Sequence, residues 1–514
     1  MVKNVLDRTS RGRWSLDDKY DLYALAAITV LGAAIRVAYL FQPLKLDEIS
    51  TFFAYTRGPL LLALTKNTPP NNQLLHTLLV KLSISLFGLH DWSIRFPAFL
   101  AGVLLIPLTY YLFKQMFNRW SGLIAAGLVA ASSPLIDYST NARGYTLQAM
   151  LFMILIIIAI HLKRARSTWG WAGFALVGTL CFFALPTTLY FFGAVAIWLG
   201  LSAIFRDVSE SHLRFLAKLA VSAVATAVMT VLLYLPLVFR SGLQSVTSNP
   251  MVQSLPYRYF FEGTWKLALD TWKSWNIALN PVITKVLLAG FIVAVVFHRK
   301  ISDDKVDLAL VIVGWVAIAL IAQHSVSFIR TWLPLLPVYF GFAAAGLYYA
   351  GSRLAGLMRR KERKLTLGAG FARLVIVLFA VFLAAMVVGL DSPDQSNLLG
   401  VPSRETSFLD AKKVASALKQ ILKPGDIVYV DNFIVPTTEY YLEQEGVPAG
   451  YLYSNNQGAE NVSTPKRIII VEAFSEGHTI DLATGNLVSS EELQRARIIK
   501  TLGHSKIYAI EKGS

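Results

Sequence analysis

Long runs of apolar residues constrain the fold of this chain more than any other feature. Stretches of about 20 mostly apolar residues, the length a helix needs to cross a bilayer, recur along most of its 514 residues. Hydrophobic residues make up 55% of the chain and charged residues only 16%, against roughly 25% charged residues in soluble domains. These values exclude a disordered chain, a coiled coil and an ordinary soluble enzyme. The single cysteine, Cys181, excludes a disulfide scaffold and is expected to be a small buried residue.

The runs predict a polytopic α-helical membrane protein with about eleven transmembrane helices. Pro186 leaves open whether residues 169–205 form two helices or one long kinked helix. The predicted spans are 21–40, 96–115, 121–138, 145–162, 169–185, 186–205, 216–237, 277–297, 306–322, 328–350 and 371–390.

The net charge of +16 belongs to the apolar part of the chain and does not indicate nucleic-acid binding. Residues from Asp391 onward carry 12 Lys and Arg and 16 Asp and Glu, so the preceding residues hold a balance of +20. In that part the basic residues concentrate in alternate loops, on the side of the N-terminal tail. The positive-inside rule then predicts a multi-pass protein of the cytoplasmic (inner) membrane with a cytoplasmic N-terminus.

Two domains are predicted: a transmembrane domain of residues 1–390 and a soluble α/β domain of residues 391–514. An odd number of spans places the second domain outside the cytoplasm, in the periplasm. Short strands alternate with helices there, which favours an α/β fold. The helices are predicted at 407–422 and 437–444, and the strands at 427–430, 467–471 and 506–510.

Two outer loops, 41–95 and 239–276, are too long to be simple turns, and loops of such length are usually functional or disordered. The first contains a leucine stripe over 71–89 that predicts an amphipathic helix lying along the membrane surface, with Asn72 as its cap. The second is rich in Trp and Tyr, which suits a position at the membrane interface.

An acidic pair, Asp47 and Glu48, opens the first outer loop. Adjacent residues do not share a helical face, so the two carboxylates are expected to have different roles; helix-capping charges are the alternative. Basic residues recur on the same side of the membrane, where a single one would be a snorkelling anchor. Several of them near two carboxylates predict a site for an anionic head group such as phosphate. They are Arg57, Lys66, Arg95, Arg143 and Arg330.

The order of four motifs resembles the family 39-like branch of the GT-C membrane glycosyltransferases. That branch includes the protein O-mannosyltransferases and the aminoarabinose transferase of lipid A. A late Arg-aromatic-x-x-Pro motif is matched only loosely, by Arg330-Thr331-Trp332-Leu333-Pro334, and Asn141 stands where the family commonly has Glu. The four motifs are Asp47-Glu48, Thr68-Pro69-Pro70-Asn71-Asn72, Ser93-Ile94-Arg95-Phe96-Pro97 and Ala142-Arg143-Gly144-Tyr145.

The resemblance implies an inverting glycosyltransferase that moves a sugar from a polyprenyl-phosphate donor to a hydroxyl at the outer membrane face. The acceptor would be a glycolipid, a polysaccharide or a protein, and the donor lipid would reach the site from the bilayer. Asp47 would be the general base, and the five basic residues would form the pool that stabilises the departing phosphate.

The remaining roles are less determined by the resemblance. Glu48 would position the loop or bind a divalent ion, and His76 is either a metal or acceptor ligand or a polar residue on the wet side of its helix. Asn71, Asn72 and Tyr145 are candidates for acceptor or loop contacts. A divalent metal is therefore an open expectation, with Glu48 and His76 as its candidate ligands.

Two other functions stay open at this point. A glycan polymerase or ligase would use a diphosphate-linked donor, but such proteins usually place their key Arg residues in one large late loop. A lipid-linked sugar transporter would typically show internal repeats and broken helices at mid-membrane, and the sequence has no evident repeat.

Overall fold

A computed structural model of the protein describes residues 16–67, 71–247, 252, 254–361, 408–431, 434–453, 466–473 and 488–512. The predicted span 371–390, the predicted domain boundary and Thr68-Pro69-Pro70 lie outside the described residues.

The helices of the first 361 residues follow the predicted apolar runs. The helix Leu46–Thr51 continues into a π-helical turn, Phe52–Thr56, and a 3-10 segment, Ile329–Leu335, precedes the helix Leu336–Lys361. The helices are α1 Leu16–Leu40, α2 Leu46–Thr51, α3 Leu60–Thr65, α4 Leu74–Phe87, α5 Asp91–Met116, α6 Arg119–Ala131, α7 Ser133–Ser139, α8 Tyr145–Arg164, α9 Thr168–Ala184, α10 Thr188–Ile204, α11 His212–Ser241, α12 Gln244–Thr247, α13 Tyr257–Trp275, α14 Pro281–Val296, α15 His298–Ile301, α16 Leu308–Gln323 and α17 Leu336–Lys361.

Five helices among the described residues are long and apolar enough to cross a membrane, and the bent pair α6–α7 makes a sixth. Helices α9, α10, α14 and α16 are apolar but shorter. These helices identify a multi-pass membrane protein, while the exact number of spans stays a prediction. Residues 169–205 form two helices, because the chain leaves helical geometry between Ala184 and Thr188.

Small residues let the helices of the core approach closely. Gly346 of α17 lies against the backbone of Gly290 in α14, where an added Cβ would stand 1.8 Å from the Gly290 carbonyl oxygen. Gly341 lies against the ring of Phe113 in the same way. Cys181 is buried, as expected of a small apolar residue.

A buried arginine stabilises the break between α6 and α7, which meet at a bend of 61°. A helix end leaves backbone carbonyls without partners, and Arg36 of α1 donates to those of Val129 and Ala130 at 3.2 and 3.0 Å. Its Nε–H donates to the Ser139 hydroxyl at 3.1 Å. Arg36 is fully buried, and it thereby ties α1 to both sides of the break and fixes the direction of α7.

The predicted surface helix is α4, but Asn72 does not cap it. The Asn72 amide donates to the Ala63 and Lys66 carbonyls, both at 2.8 Å, and so closes the end of α3 instead. Helix α4 has 14 residues, about 21 Å of length, which is too short to span a bilayer. Its leucines Leu82 and Leu86 are exposed, 55% and 67%, so an apolar stripe remains free for the membrane surface.

The chain after Phe408 contains a five-stranded sheet with strand order β2-β1-β3-β5-β4. Strands β2, β1 and β3 pair in parallel, and β5 pairs antiparallel with both of its neighbours, β3 and β4. The strands are β1 Asp426–Val430, β2 Leu452–Tyr453, β3 Arg467–Ala473, β4 Arg497–Leu502 and β5 Ser505–Glu511; the helices are α18 Ala411–Ile421, α19 Val435–Gln444 and α20 Ser490–Gln494.

This sheet unit packs directly on the first outer loop. Ile49 and Phe52 of the loop belong to the same hydrophobic cluster as Val414 and Tyr440 of helices α18 and α19. The ring of Phe52 meets that of Tyr440 edge to face, with centroids 5.5 Å apart. The sheet unit therefore holds the acidic pair's loop from one side. Its independence as a domain, and its side of the membrane, stay predictions.

Arg36→Met should destabilise the protein, because the carbonyls at the helix break lose their charged donor inside the membrane. We expect the free energy of unfolding to fall by about 3 kcal/mol, measured by thermal unfolding of the purified protein in detergent. Arg353→Met is the matched control, since Arg353 is exposed and contacts the ring of Tyr349. Equal unfolding midpoints for the two variants would contradict the role of Arg36.

Candidate active site

The two carboxylates of the acidic pair lie in opposite environments. The Asp47 side chain is 40% exposed, whereas the Glu48 side chain is fully buried. Helix α2 starts one residue earlier, and its turn sends these neighbours to different sides. Only Asp47 is open to a substrate.

Glu48 and Arg95 form a saturated buried ion pair. The Arg95 Nε–H and Nη2–H groups donate to the two Glu48 oxygens at 2.8 and 2.6 Å. The same carboxylate accepts from the backbone N–H groups of Lys45 and Ala142, both at 2.7 Å. Burial alone would raise the pKa of Glu48, but the charge of Arg95 and these hydrogen bonds outweigh it and hold the pKa below its ordinary value.

All five N–H donors of Arg95 are hydrogen-bonded to Glu48 and to backbone carbonyls at the start of the loop. Besides Glu48, its guanidinium donates to the carbonyls of Leu40, Gln42 and Pro43, at 3.1, 2.6 and 2.9 Å. Arginine has five N–H donors, so none is left for a phosphate, and the geometry argues against the predicted place of Arg95 in the phosphate-binding pool. The same bonds argue against Glu48 as a metal ligand and favour its alternative role in positioning the loop.

Two other arginines lie around the ring of Tyr145, and one of them contacts Asp47. The Arg330 Nη1–H donates to Asp47 Oδ2 at 3.0 Å. The guanidinium carbons of Arg330 and Arg143 lie 5.8 and 5.9 Å from the centre of the Tyr145 ring. Among the described residues, the Nε–H of each arginine is buried without a hydrogen-bond partner. Buried cationic donors without partners are costly, so the pair is suited to an anionic ligand.

Side chains of the first outer loop orient Arg143. Its Nη1–H donates to the Thr51 hydroxyl at 2.9 Å, and its Nη2–H donates to the Asn71 side chain. The next backbone N–H, of Gly144, donates to Gln73. The Ala-Arg-Gly-Tyr segment is thus attached to the start of the loop through Glu48 and to its middle through Asn71.

His76 is buried, 1% exposed, which contradicts its placement on the wet side of α4. Burial and the positive charge of Arg143 lower the pKa of His76 to about 3, so the imidazole is neutral near pH 7. The part of the chain that the structure describes contains no group of three or more His, Cys, Asp or Glu side chains that could hold a metal ion. A divalent metal with Glu48 or His76 among its ligands therefore stays a prediction.

The remaining basic residues do not join Asp47. Arg57 is half-exposed and pairs with Glu443 of α19 at 3.2 Å. Lys66 is half-buried at the end of α3, where its carbonyl accepts from Asn72. Of the five predicted basic residues, the geometry brings only Arg143 and Arg330 together around the ring of Tyr145.

Sequence reasoning missed an ion pair beside Asp47. The Lys45 ammonium lies 2.5 Å from Asp137 Oδ1, and the Asp137 side chain is only 5% exposed. A signal for it existed, since Asp137 is the second-to-last residue of the predicted span 121–138, and ionisable residues within membrane segments are usually functional. Lys45 stands directly before the helix that carries the acidic pair, and its bond to Asp137 joins the start of that helix to α7.

Comparisons with known proteins show which proteins the chain resembles. Residues 69–235 match the family described as dolichyl-phosphate-mannose-protein mannosyltransferase. YkcB of Bacillus subtilis (strain 168), provisionally named a mannosyltransferase, is 27% identical over 117 residues. That match spans 22% of this chain and only 16% of YkcB.

The fold is shared with solved structures over nearly the whole chain. ArnT from Cupriavidus metallidurans in the apo state has a TM-score of 0.56 at 15% identity, covering 96% of this chain and 98% of ArnT. The structure of ArnT bound to undecaprenyl phosphate has a TM-score of 0.55 at 14% identity, covering 94% and 97%. The chain thus resembles the GT-C glycosyltransferases of the family 39-like type, in residues 69–235 by sequence and over most of its length by fold. The resemblance recognised from the motifs is thereby confirmed, and the polytopic membrane fold with it.

The acidic pair offers a matched test of the two environments. Glu48→Gln should lower the free energy of unfolding by about 3 kcal/mol, because it leaves the buried Arg95 without its counter-charge. Asp47→Asn should change it by less than about 0.5 kcal/mol, since Asp47 is partly exposed. Thermal unfolding of both purified variants measures this difference, and equal losses of stability would refute it.

The buried pair of Glu48 and Arg95 predicts that the stability of the protein depends on pH. The folded-state pKa of Glu48 lies below the ordinary value of 4.5, so its stabilisation is complete above about pH 4.5 and is lost as the pH falls through the folded-state pKa. The stability difference between the wild type and Glu48→Gln should shrink on going from pH 6 to pH 3. A difference that stays constant over this range would exclude the ionised pair.

Proposed function

We propose that this protein transfers a sugar from a polyprenyl-phosphate donor to a hydroxyl acceptor, with inversion, at the outer face of the cytoplasmic membrane. The observation that carries the proposal is that the accessible Asp47 accepts a hydrogen bond from Arg330. The guanidinium groups of Arg330 and Arg143 both lie near the ring of Tyr145. A base and a cationic phosphate site then stand beside each other, as a displacement at a sugar phosphate requires.

Asp47 acts as the general base. It accepts the proton of the acceptor hydroxyl as the oxygen attacks the anomeric carbon, and the bond from that carbon to the phosphate oxygen breaks. The arginine contact leaves the carboxylate fixed in direction but still exposed. Such a positioned base contributes typically about 10²- to 10⁴-fold in rate.

Arg143 and Arg330 stabilise the departing lipid phosphate. Guanidinium groups match phosphate oxygens well, and a donor aimed at developing charge is worth typically about 10²- to 10³-fold. Among the described residues, both arginines also carry a buried Nε–H without a hydrogen-bond partner, which favours an anion beside them. Lys66, at the end of the same outer loop, remains a further candidate for the phosphate.

The lipid part of the donor fits the surroundings of the site. Apolar α4 and the membrane-spanning helices border the loop, so a polyprenyl chain could stay in the bilayer while its phosphate reaches the arginines. ArnT, which shares the fold, has been solved with undecaprenyl phosphate. The N-terminus would be cytoplasmic and the sheet unit outside the cytoplasm, and the acceptor would be a glycolipid, a polysaccharide or a protein.

Asp47→Asn should reduce sugar transfer at least 100-fold, because an amide cannot take the proton of the acceptor. Its affinity for the donor should change little, since the arginines stay in place. The assay follows radiolabelled sugar from a polyprenyl-phosphate sugar into acceptors from membranes of the producing cell, with binding of the labelled donor measured separately. Full transfer by Asp47→Asn would remove Asp47 as the base, and release of a lipid diphosphate would favour a polymerase or ligase.

Single arginine substitutions distinguish the members of the predicted phosphate-binding pool that act in transfer from those that do not. Arg143→Gln and Arg330→Gln should each lower the transfer rate about 100-fold. Arg57→Gln should keep the rate within about threefold, because Arg57 pairs with Glu443 at the surface and interactions of this kind contribute little. Equal loss in all three variants would show that the arginines act through folding or overall charge.

A further inference from the structure

A cleft lies between the end of the first outer loop and the sheet unit. It has a volume of about 490 Å³, within the usual range of ligand-binding pockets. One wall comes from the start of α5 and the other from α18 and α19. Its lining includes Phe41, His90, Trp92, Lys412, Gln444 and Glu445.

The wall from α5 is an aromatic platform. The rings of His90 and Trp92 stack with centroids 6.1 Å apart and an angle of 10° between their planes. His90 is exposed, Trp92 is partly exposed, and both residues line the cleft. Sugar rings carry faces of C–H groups that pack on such surfaces, and aromatic side chains combine this contact area with polar edges.

The opposite wall is polar and has hydrogen-bonding groups suited to sugar hydroxyls. Gln444 is exposed and offers both an amide donor and a carbonyl acceptor. At the edge of this wall, the Glu445 carboxylate accepts hydrogen bonds from the Ser416 hydroxyl and the Lys419 ammonium. The Tyr440 and Tyr441 hydroxyls close the floor by donating to Asp91 at 3.3 and 2.9 Å.

The floor of the cleft is joined to the loop that carries Asp47. The Leu44 N–H donates to the Tyr441 hydroxyl at 2.8 Å, and the Lys412 ammonium donates to the Phe41 carbonyl at 3.0 Å. Leu44 stands three residues before Asp47, a distance of at most about 10 Å along an extended chain. A glycan acceptor that contacts both the cleft and Asp47 would therefore be several sugar units long.

We propose that this cleft binds the oligosaccharide part of the acceptor and so selects a glycan as substrate. The inference rests on the proposed function and names the acceptor class. A glycan suits the site better than a peptide, because the described walls are helical and side-chain-lined, whereas extended peptides commonly add to the edge of a sheet.

The experiment measures saturation-transfer NMR on the full chain in lipid nanodiscs, with mannohexaose and chitohexaose as separate probes. At least one hexasaccharide should receive saturation from the wild type. The signal should fall at least fivefold in Trp92→Ala and at least threefold in Gln444→Ala, which alters an exposed side chain and leaves the packing intact. Trp265→Ala, at a more exposed tryptophan of α13 (68% exposed) that does not line the cleft, should keep the wild-type signal.

Three outcomes would overturn the proposal: no saturation of either hexasaccharide, equal signals in Trp92→Ala and Trp265→Ala, or a Ser- and Thr-rich decapeptide taking up saturation in a Trp92-dependent way where the sugars do not. Release of polyprenyl phosphate from a polyprenyl-phosphate sugar is measured in parallel. Its absence in the wild type would count against the proposed function alone, whereas Trp92→Ala should leave this release unchanged.

Discussion

The buried ion pair of Glu48 and Arg95 is the interaction on which the candidate active site depends. A charge pair out of water is tolerated only when its geometry is good and its remaining groups are bonded, and here every Arg95 donor has an acceptor. The pair closes the outer loop on itself and, through Ala142, attaches it to the segment that carries Arg143. Rigid support of this kind is what a positioned base and phosphate site need.

A second set of buried polar groups fixes the other side of the site. Arg36 supplies donors to the carbonyls at the break between α6 and α7, and the direction of α7 then brings Asp137 to Lys45. The two sets of buried interactions meet at helix α2. Lys45 directly precedes this helix, and Glu48 lies within it. Asp47 is left as the exposed carboxylate of this helix because its neighbours are engaged in structural bonds.

Much of this arrangement could be read from local sequence patterns, and the rest could not for physical reasons. Apolar run length predicted helices such as α5, α8 and α11, and the different environments of Asp47 and Glu48 followed from helical spacing. The partners of Arg95 and Asn72 depend on carbonyls exposed by a particular loop path, which no pattern of side chains encodes. Strand β4 was missed because its residues are mostly exposed, with little of the apolar signal of β1 or β3.

The proposed reaction is a single displacement in which an acceptor hydroxyl activated by Asp47 expels a lipid phosphate held by Arg143 and Arg330. The most direct measurement is NMR of the product made from a donor of known anomeric configuration, together with mass spectrometry of the released lipid. Inversion at the anomeric carbon, with one polyprenyl monophosphate released per sugar transferred, is the predicted result. Retention of configuration, or a released lipid diphosphate, would contradict it.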